Sequence, residues 1–83
     1  MVKSKVTVFQ ESAVCIHGKE FRMIRRQRKL SLAALVERMN KRGWAYYPTK
    51  LHRLEQRVKF CLPGNEMVDL LDALGVDFNV HKS

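Results

Sequence analysis

The stretch Leu30 to Arg57, LSLAALVERMNKRGWAYYPTKLHRLEQR, constrains the fold more than any other part of the chain. Apolar residues at Leu35, Val36 and Met39, and again at Leu51, Leu54 and Val58, recur at the spacing of one helical face. Between them, Asn40 to Ala45 breaks the period, and Gly43 supplies the permissive backbone of a sharp turn. Ser31 has the chemistry to cap the first of these helices through its hydroxyl. Pro48 suits the first position of the second, where its missing N–H costs nothing and its fixed φ favours a helix start. The spacing therefore predicts two short helices joined by a turn. The second carries Leu51, Leu54 and Val58 inward and presents Thr49, Lys50 and Arg53 outward, with His52 and Arg57 near that face.

The flanking segments extend the pattern. Lys19 to Arg28 reads as a preceding helix with Phe21 and Ile24 facing a core, and its arginines form either a solvated or a phosphate-touching surface. Asn65 to Leu74 reads as a closing helix with apolar Met67, Val68, Leu71 and Leu74, stopped by Gly75. Leu62-Pro63-Gly64 reads as a turn. Val2 to Phe9 alternates β-branched and polar residues, and Ala13 to His17 is a second short extended run, so the two are expected to form an N-terminal hairpin. Val76, Phe78 and Val80 alternate with polar residues as a possible third strand, which would close a small sheet or meet a second copy. The resulting organisation is an extended arm or hairpin over 1–17 and a helical domain over 18–83.

With 83 residues, 46% of them apolar, the chain supports one modest core and no deep catalytic cleft. No apolar run approaches the roughly 18 residues of a membrane span, and Met1 to Gln10 lacks a signal-peptide layout. A soluble, cytoplasmic protein without a membrane partner is expected. Cys15 and Cys61, far apart in sequence, are expected to be reduced and partly buried. Cys15, His17, Cys61 and His81 lack the paired spacings of zinc modules, and no cysteine–histidine nucleophile, phosphate-cradling glycine loop or clustered carboxylates stand out. The expectation is no metal, no cofactor and no catalysis.

Charge is sorted along the chain. Lys19 to Lys59 holds thirteen basic and three acidic residues, a balance of +10, whereas the remainder carries −2. Such polarity points to a polyanion facing one side. The closing helix bears Glu66, Asp69 and Asp72, which phosphate would repel, so it is expected to lie away from that ligand.

Three stretches, GKEFRMIRRQRKLSLAALVERM, TKLHRLE and NEMVDLLDALGVDF, together resemble the lambda-repressor/Cro-like helix-turn-helix family, the Xre class. The resemblance covers about Gly18 to Phe78 and rests on an ordered set of features: Leu30-Ser31 before the second helix, Leu35 and Val36 within it, Leu51, Leu54 and Glu55 in the third, and the Ala73 to Val76 close. It implies a mainly α bundle of four or five helices that binds double-stranded operator DNA as a homodimer, with the third helix in the major groove. On that reading Thr49, Lys50 and Arg53 read bases. Arg22, Arg26, Arg28, Arg42, Arg57 and Lys59 position phosphates, with Trp44 and Tyr47 flanking. Arg25 occupies the family position that pairs with Glu55.

Two departures limit the resemblance. Leu32 stands where family members commonly carry a glutamine that braces DNA contacts, so that role is not transferred. The connection between the second and third helices is about three residues longer than usual and carries Trp44, Tyr46 and Tyr47. Tyr46 is expected to fill the apolar turn position. Trp44 either packs as a lid or lies against the DNA backbone, and Tyr47 stands where a small polar cap is usual. A second functional class stays open: a protein-interaction module, such as an antitoxin or antirepressor, holding a partner through its strands or through Phe60-Cys61-Leu62. The dimer contact is open as well, between the Val76 to Val80 strand and the Phe60 to Leu62 loop.

Overall fold

The computed structural model describes residues 6–9, 13–76 and 78–81, with side chains from 13 to 76. In order these form β1 (Val6–Phe9), β2 (Ala13–His17), α1 (Gly18–Gln27), α2 (Leu32–Lys41), α3 (Pro48–Gln56), β3 (Lys59–Pro63), α4 (Gly64–Leu74) and β4 (Phe78–His81). The chain is mainly helical, and α3 packs against both α1 and α2 while α4 packs on α2. Phe21, Leu35, Met39, Leu51, Phe60, Met67, Leu70, Leu71 and Leu74 are fully buried at the centre. No described helix is long and apolar enough to cross a membrane.

Local chemistry ends the helices as the residue types demand. Ser31 Oγ accepts from the Ala34 N–H at 3.0 Å and caps α2, an arrangement typically contributing about 1 kcal/mol. Three helices close with the same paired reversal, in which successive N–H groups return to carbonyls three and five residues back. In α2 these are Gly43 to Asn40 and Trp44 to Met39; in α4 they are Gly75 to Asp72 and Val76 to Leu71. Both glycines take positive φ, 91° and 79°. At the end of α1 the left-handed position falls to Lys29, φ 55°, with Lys29 bonded to Arg26 and Leu30 to Arg25.

The strands depart from the expected N-terminal hairpin. β1 does not pair with β2; it runs parallel to β4, with Val6 opposite Phe78, and β2 pairs antiparallel with β3, Ala13 opposite Pro63 and His17 opposite Lys59. Val2 to Lys5 and Gln10 to Ser12, the remainder of that expected hairpin, lie outside the described residues, as does Asp77 of the expected third strand. The segment Lys59–Pro63, expected as loop and turn, is the partner of β2. Val14 and Ile16 of one strand and Phe60 and Leu62 of the other are buried on one face. Phe60 then meets Phe21 of α1 edge to face, with ring centroids 5.4 Å apart.

This register also overturns the expectation of reduced, partly buried cysteines. Cys15 and Cys61 stand directly opposite on the exposed face of the strand pair, 4.0 Å apart at Cα, and are joined as a disulfide. The disulfide joins the two strands on one face while Val14, Ile16, Phe60 and Leu62 pack on the other. The junction from β2 into α1 is tight for a separate reason. A Cβ added at Gly18 would fall 2.2 Å from the Arg57 carbonyl oxygen, so only glycine permits this backbone-on-backbone approach.

Candidate nucleic-acid interface

α3 separates its two faces cleanly. Leu51 is fully buried and Leu54 half-buried, while Thr49, His52, Arg53 and Gln56 are exposed. Behind it, Glu55 is buried and accepts from Arg25 Nε at 2.6 Å and Nη2 at 3.0 Å, while Arg25 Nη1 donates to the Leu30 carbonyl at 2.8 Å. The Arg25–Glu55 pair expected from the resemblance is thus present, and it fixes the rotation of α3 about its axis. That rotation is what makes Thr49 and Arg53 available to an external acceptor.

Lys50 is less exposed than Thr49 and Arg53. Expected to project outward, it is half-buried, and its Nζ lies 4.3 Å from the centroid of the Tyr46 ring. The ammonium is attracted by the electron-rich ring face and is not free in the manner of Arg53. Val58 is a correction, since it was expected inward beside Leu54 and is 84% exposed. The cause is that α3 ends at Gln56, so the helical period no longer governs residue 58.

The longer α2–α3 connection is held against α4 by three successive donors. Arg42 Nη2 donates to Asp72 Oδ2 at 2.7 Å, Trp44 Nε1 to Asp69 Oδ2 at 2.5 Å, and the Tyr46 hydroxyl to Glu66. From the other side Asn40 grips the Tyr46 backbone, accepting its N–H at 2.8 Å and donating to its carbonyl at 3.2 Å. Burial, and then the Glu66 carboxylate that accepts its hydrogen bond, push the Tyr46 phenol far above the ordinary tyrosine range. Tyr46 occupies the buried turn position as expected.

These contacts redistribute the expected phosphate-facing set. Arg42 and Trp44 are engaged with α4 carboxylates, so of the two expectations for Trp44 the packed one describes its place. Tyr47, at the N-cap of α3, makes no side-chain capping bond and is 54% exposed beside Thr49. Arg22 and Arg57 line one groove, between α1 and the link from α3 to β3, and Lys59 follows immediately on β3. Arg26 continues along the outer surface of α1. Arg28 stands apart, near Gly75 at the C-terminal end of α4, where the helix dipole favours a cation.

The acidic residues of α4 also behave in a way that charge counting missed. They are not merely distant from a cationic face; each is matched to a donor from the α2–α3 connection. Asn40 was missed as well, because an asparagine near a helix end reads as an ordinary turn residue until its two bonds to Tyr46 are seen. Met23 and Val58 are apolar side chains on the groove that holds Arg22 and Arg57. In the sequence, Met23 could have been found as an apolar residue out of phase with Phe21 and Ile24.

Set against family models, curated proteins and solved structures, the chain matches none of them.

Proposed function

We propose that this protein is a sequence-specific, double-stranded DNA-binding transcriptional regulator of the lambda-repressor-like helix-turn-helix type, acting in the cytoplasm by occupying an operator as a homodimer. The observation that carries the reading is the division of α3: Thr49 and Arg53 exposed on one side, Leu51 and Glu55 locked on the other. Arginine in this setting donates in a fork to guanine O6 and N7, and threonine meets either a base-edge acceptor or a thymine methyl. Tyr47 lies at the entrance of the same helix, and Arg22, Arg57 and Lys59 supply cations beside its far end for phosphate oxygens. Lys50, with its Nζ over the Tyr46 ring, stands beside Arg53 and Thr49, the more exposed pair. Two copies would present two such helices to successive turns of an inverted repeat.

The carboxylates of α4 accept hydrogen bonds from Arg42, Trp44 and Tyr46, which tie them to the α2–α3 connection, and of the three only Asp72 is paired with a cation among the described residues.

Selection of bound sites from random duplex DNA, with the stoichiometry of the complex measured on the enriched site, tests this directly. An enriched inverted repeat bound by two copies, with affinity falling steeply as salt rises, is the expected result. Absence of sequence enrichment together with salt-insensitive binding would remove the proposal.

A further inference from the structure

The groove between α1 and the α3–β3 link, about 730 Å³ in volume, has a surface that phosphate contacts use only in part. Lys19, Arg22 and Arg57 line it, but so do Met23 and Val58, which are 51% and 84% exposed. Its carboxylates are Glu20 and Glu55, and both oxygens of Glu55 are taken by Arg25. The groove is built on fixed backbone: the Gly18 N–H donates to the Val58 carbonyl at 3.1 Å, and His17 Nδ1 lies 3.2 Å from the same oxygen. No Cβ fits at position 18 against the Arg57 carbonyl, so the two walls cannot separate to admit a bulkier residue without disturbing this contact. Little ordering is then required of the protein when a ligand binds.

Two exposed apolar side chains in one groove with three cations are poorly matched to a nucleic acid backbone, whose oxygens gain nothing from Met23 or Val58. Apolar surface rimmed by charge is instead what protein ligands use. We propose that this groove docks an acidic peptide segment of another protein, with apolar side chains covering Met23 and Val58 and flanking carboxylates meeting Lys19, Arg22 and Arg57. Charge complementarity selects this occupant. A second copy of the chain carries a net charge of +8, and its α4 carboxylates already accept hydrogen bonds from its own α2–α3 connection. The terminal residues Met1 to Lys5 and Lys82-Ser83 of the chain itself are cationic. The inference does not rest on base reading by Thr49 and Arg53, which do not line the groove, but a peptide docked there would occupy Arg22 and Arg57, which the DNA-binding reading assigns to phosphate.

The test is a titration of the isotope-labelled full chain, followed by backbone amide resonances, with three probes. These are a short synthetic peptide in which glutamates flank a leucine and a phenylalanine, the same peptide with both apolar residues replaced by serine, and a DNA duplex of random sequence. The expected result is saturable shifts centred on Lys19, Arg22, Met23 and Val58 with the first peptide, and binding about tenfold weaker with the serine version. Val58→Ser and Met23→Ser, both at exposed positions, should weaken the first peptide by about fivefold while leaving amide shifts elsewhere unchanged. Equal binding of both peptides, no shift at these residues, or the same shifts produced by the duplex and unaffected by Val58→Ser would each overturn the proposal.

Discussion

Arg25 and Glu55, thirty residues apart, meet through two guanidinium–carboxylate hydrogen bonds of 2.6 and 3.0 Å, with Arg25 12% and Glu55 1% exposed at the side chain. The pair is the polar tie between α1 and α3 inside an otherwise apolar contact. Removing one member leaves the other charge or its hydrogen-bonding groups without compensation, whereas removing both does not. Arg25→Ala or Glu55→Ala should therefore cost about 3–5 kcal/mol, and Arg25→Met with Glu55→Leu together much less than the sum of the single changes. Urea unfolding of the four proteins checks this, and additive losses would show that the two residues act separately.

Lys29 holds the left-handed position that ends α1, a conformation in which a Cβ is crowded and glycine is not. Gly43 and Gly75 show what the same position takes elsewhere in the chain. Lys29→Gly should raise stability by about 0.5–1 kcal/mol, read as a higher denaturation midpoint with an unchanged slope. Lys29→Val should lower it, because a β-branched side chain makes positive φ worse.

The Cys15–Cys61 bond closes a loop with a sequence separation of 46 on a strand pair already held by Val14, Ile16, Phe60 and Leu62. Its main effect is expected on the unfolded chain, by restricting the conformations it can visit. Reduction, or replacement of both cysteines by serine, should lower stability by about 2–4 kcal/mol with little change in far-ultraviolet circular dichroism at low temperature. Loss of β and helical signal on reduction under native conditions would mean the sulfur bond, not the apolar face, maintains the strands.

Tyr46 links stability to alkaline pH. Its phenol is raised in the folded protein by burial and by the carboxylate of Glu66, so the folded state holds its proton more tightly than the unfolded chain. A raised folded pKa contributes stability that is complete below the unfolded value, near 10, and is lost progressively as pH climbs above it. Tyr46→Phe should lower stability by about 1–2 kcal/mol near neutral pH through the lost hydrogen bond, and should lessen the decline above pH 10. Stability curves of the two proteins that run parallel through the alkaline range would contradict the assignment.

On DNA, Arg53 and Lys59 should separate by kind. Arg53→Ala is expected to weaken a selected site by about 1–3 kcal/mol and relax its base preference, whereas Lys59→Ala should weaken all sequences alike and reduce the salt slope by about one. Equal losses on specific and random duplexes for both variants would take Arg53 out of base recognition.

The helices were legible in the chain because what makes them is local. Ser31, Gly43, Pro48 and Gly75 act within one turn of where they stand, and apolar spacing identified Phe21, Ile24, Leu35, Met39 and Leu51 as core residues. The opposite charge of α4 and of the middle segment was equally a property of composition. Apart from the Arg25–Glu55 pair, which the resemblance implied, tertiary structure decided the pairings between distant segments. β2 pairs with Lys59–Pro63 and not with the nearer β1, burying Val14 and Ile16 on the same face as Phe60 and Leu62, and that pairing brings Cys15 against Cys61. Lys50 settled on the Tyr46 ring, and Arg42 and Trp44 turned to Asp72 and Asp69, because a cation or an N–H takes the nearest good acceptor in space. Periodicity identifies a buried side of a helix; it carries no record of which distant group meets the other side.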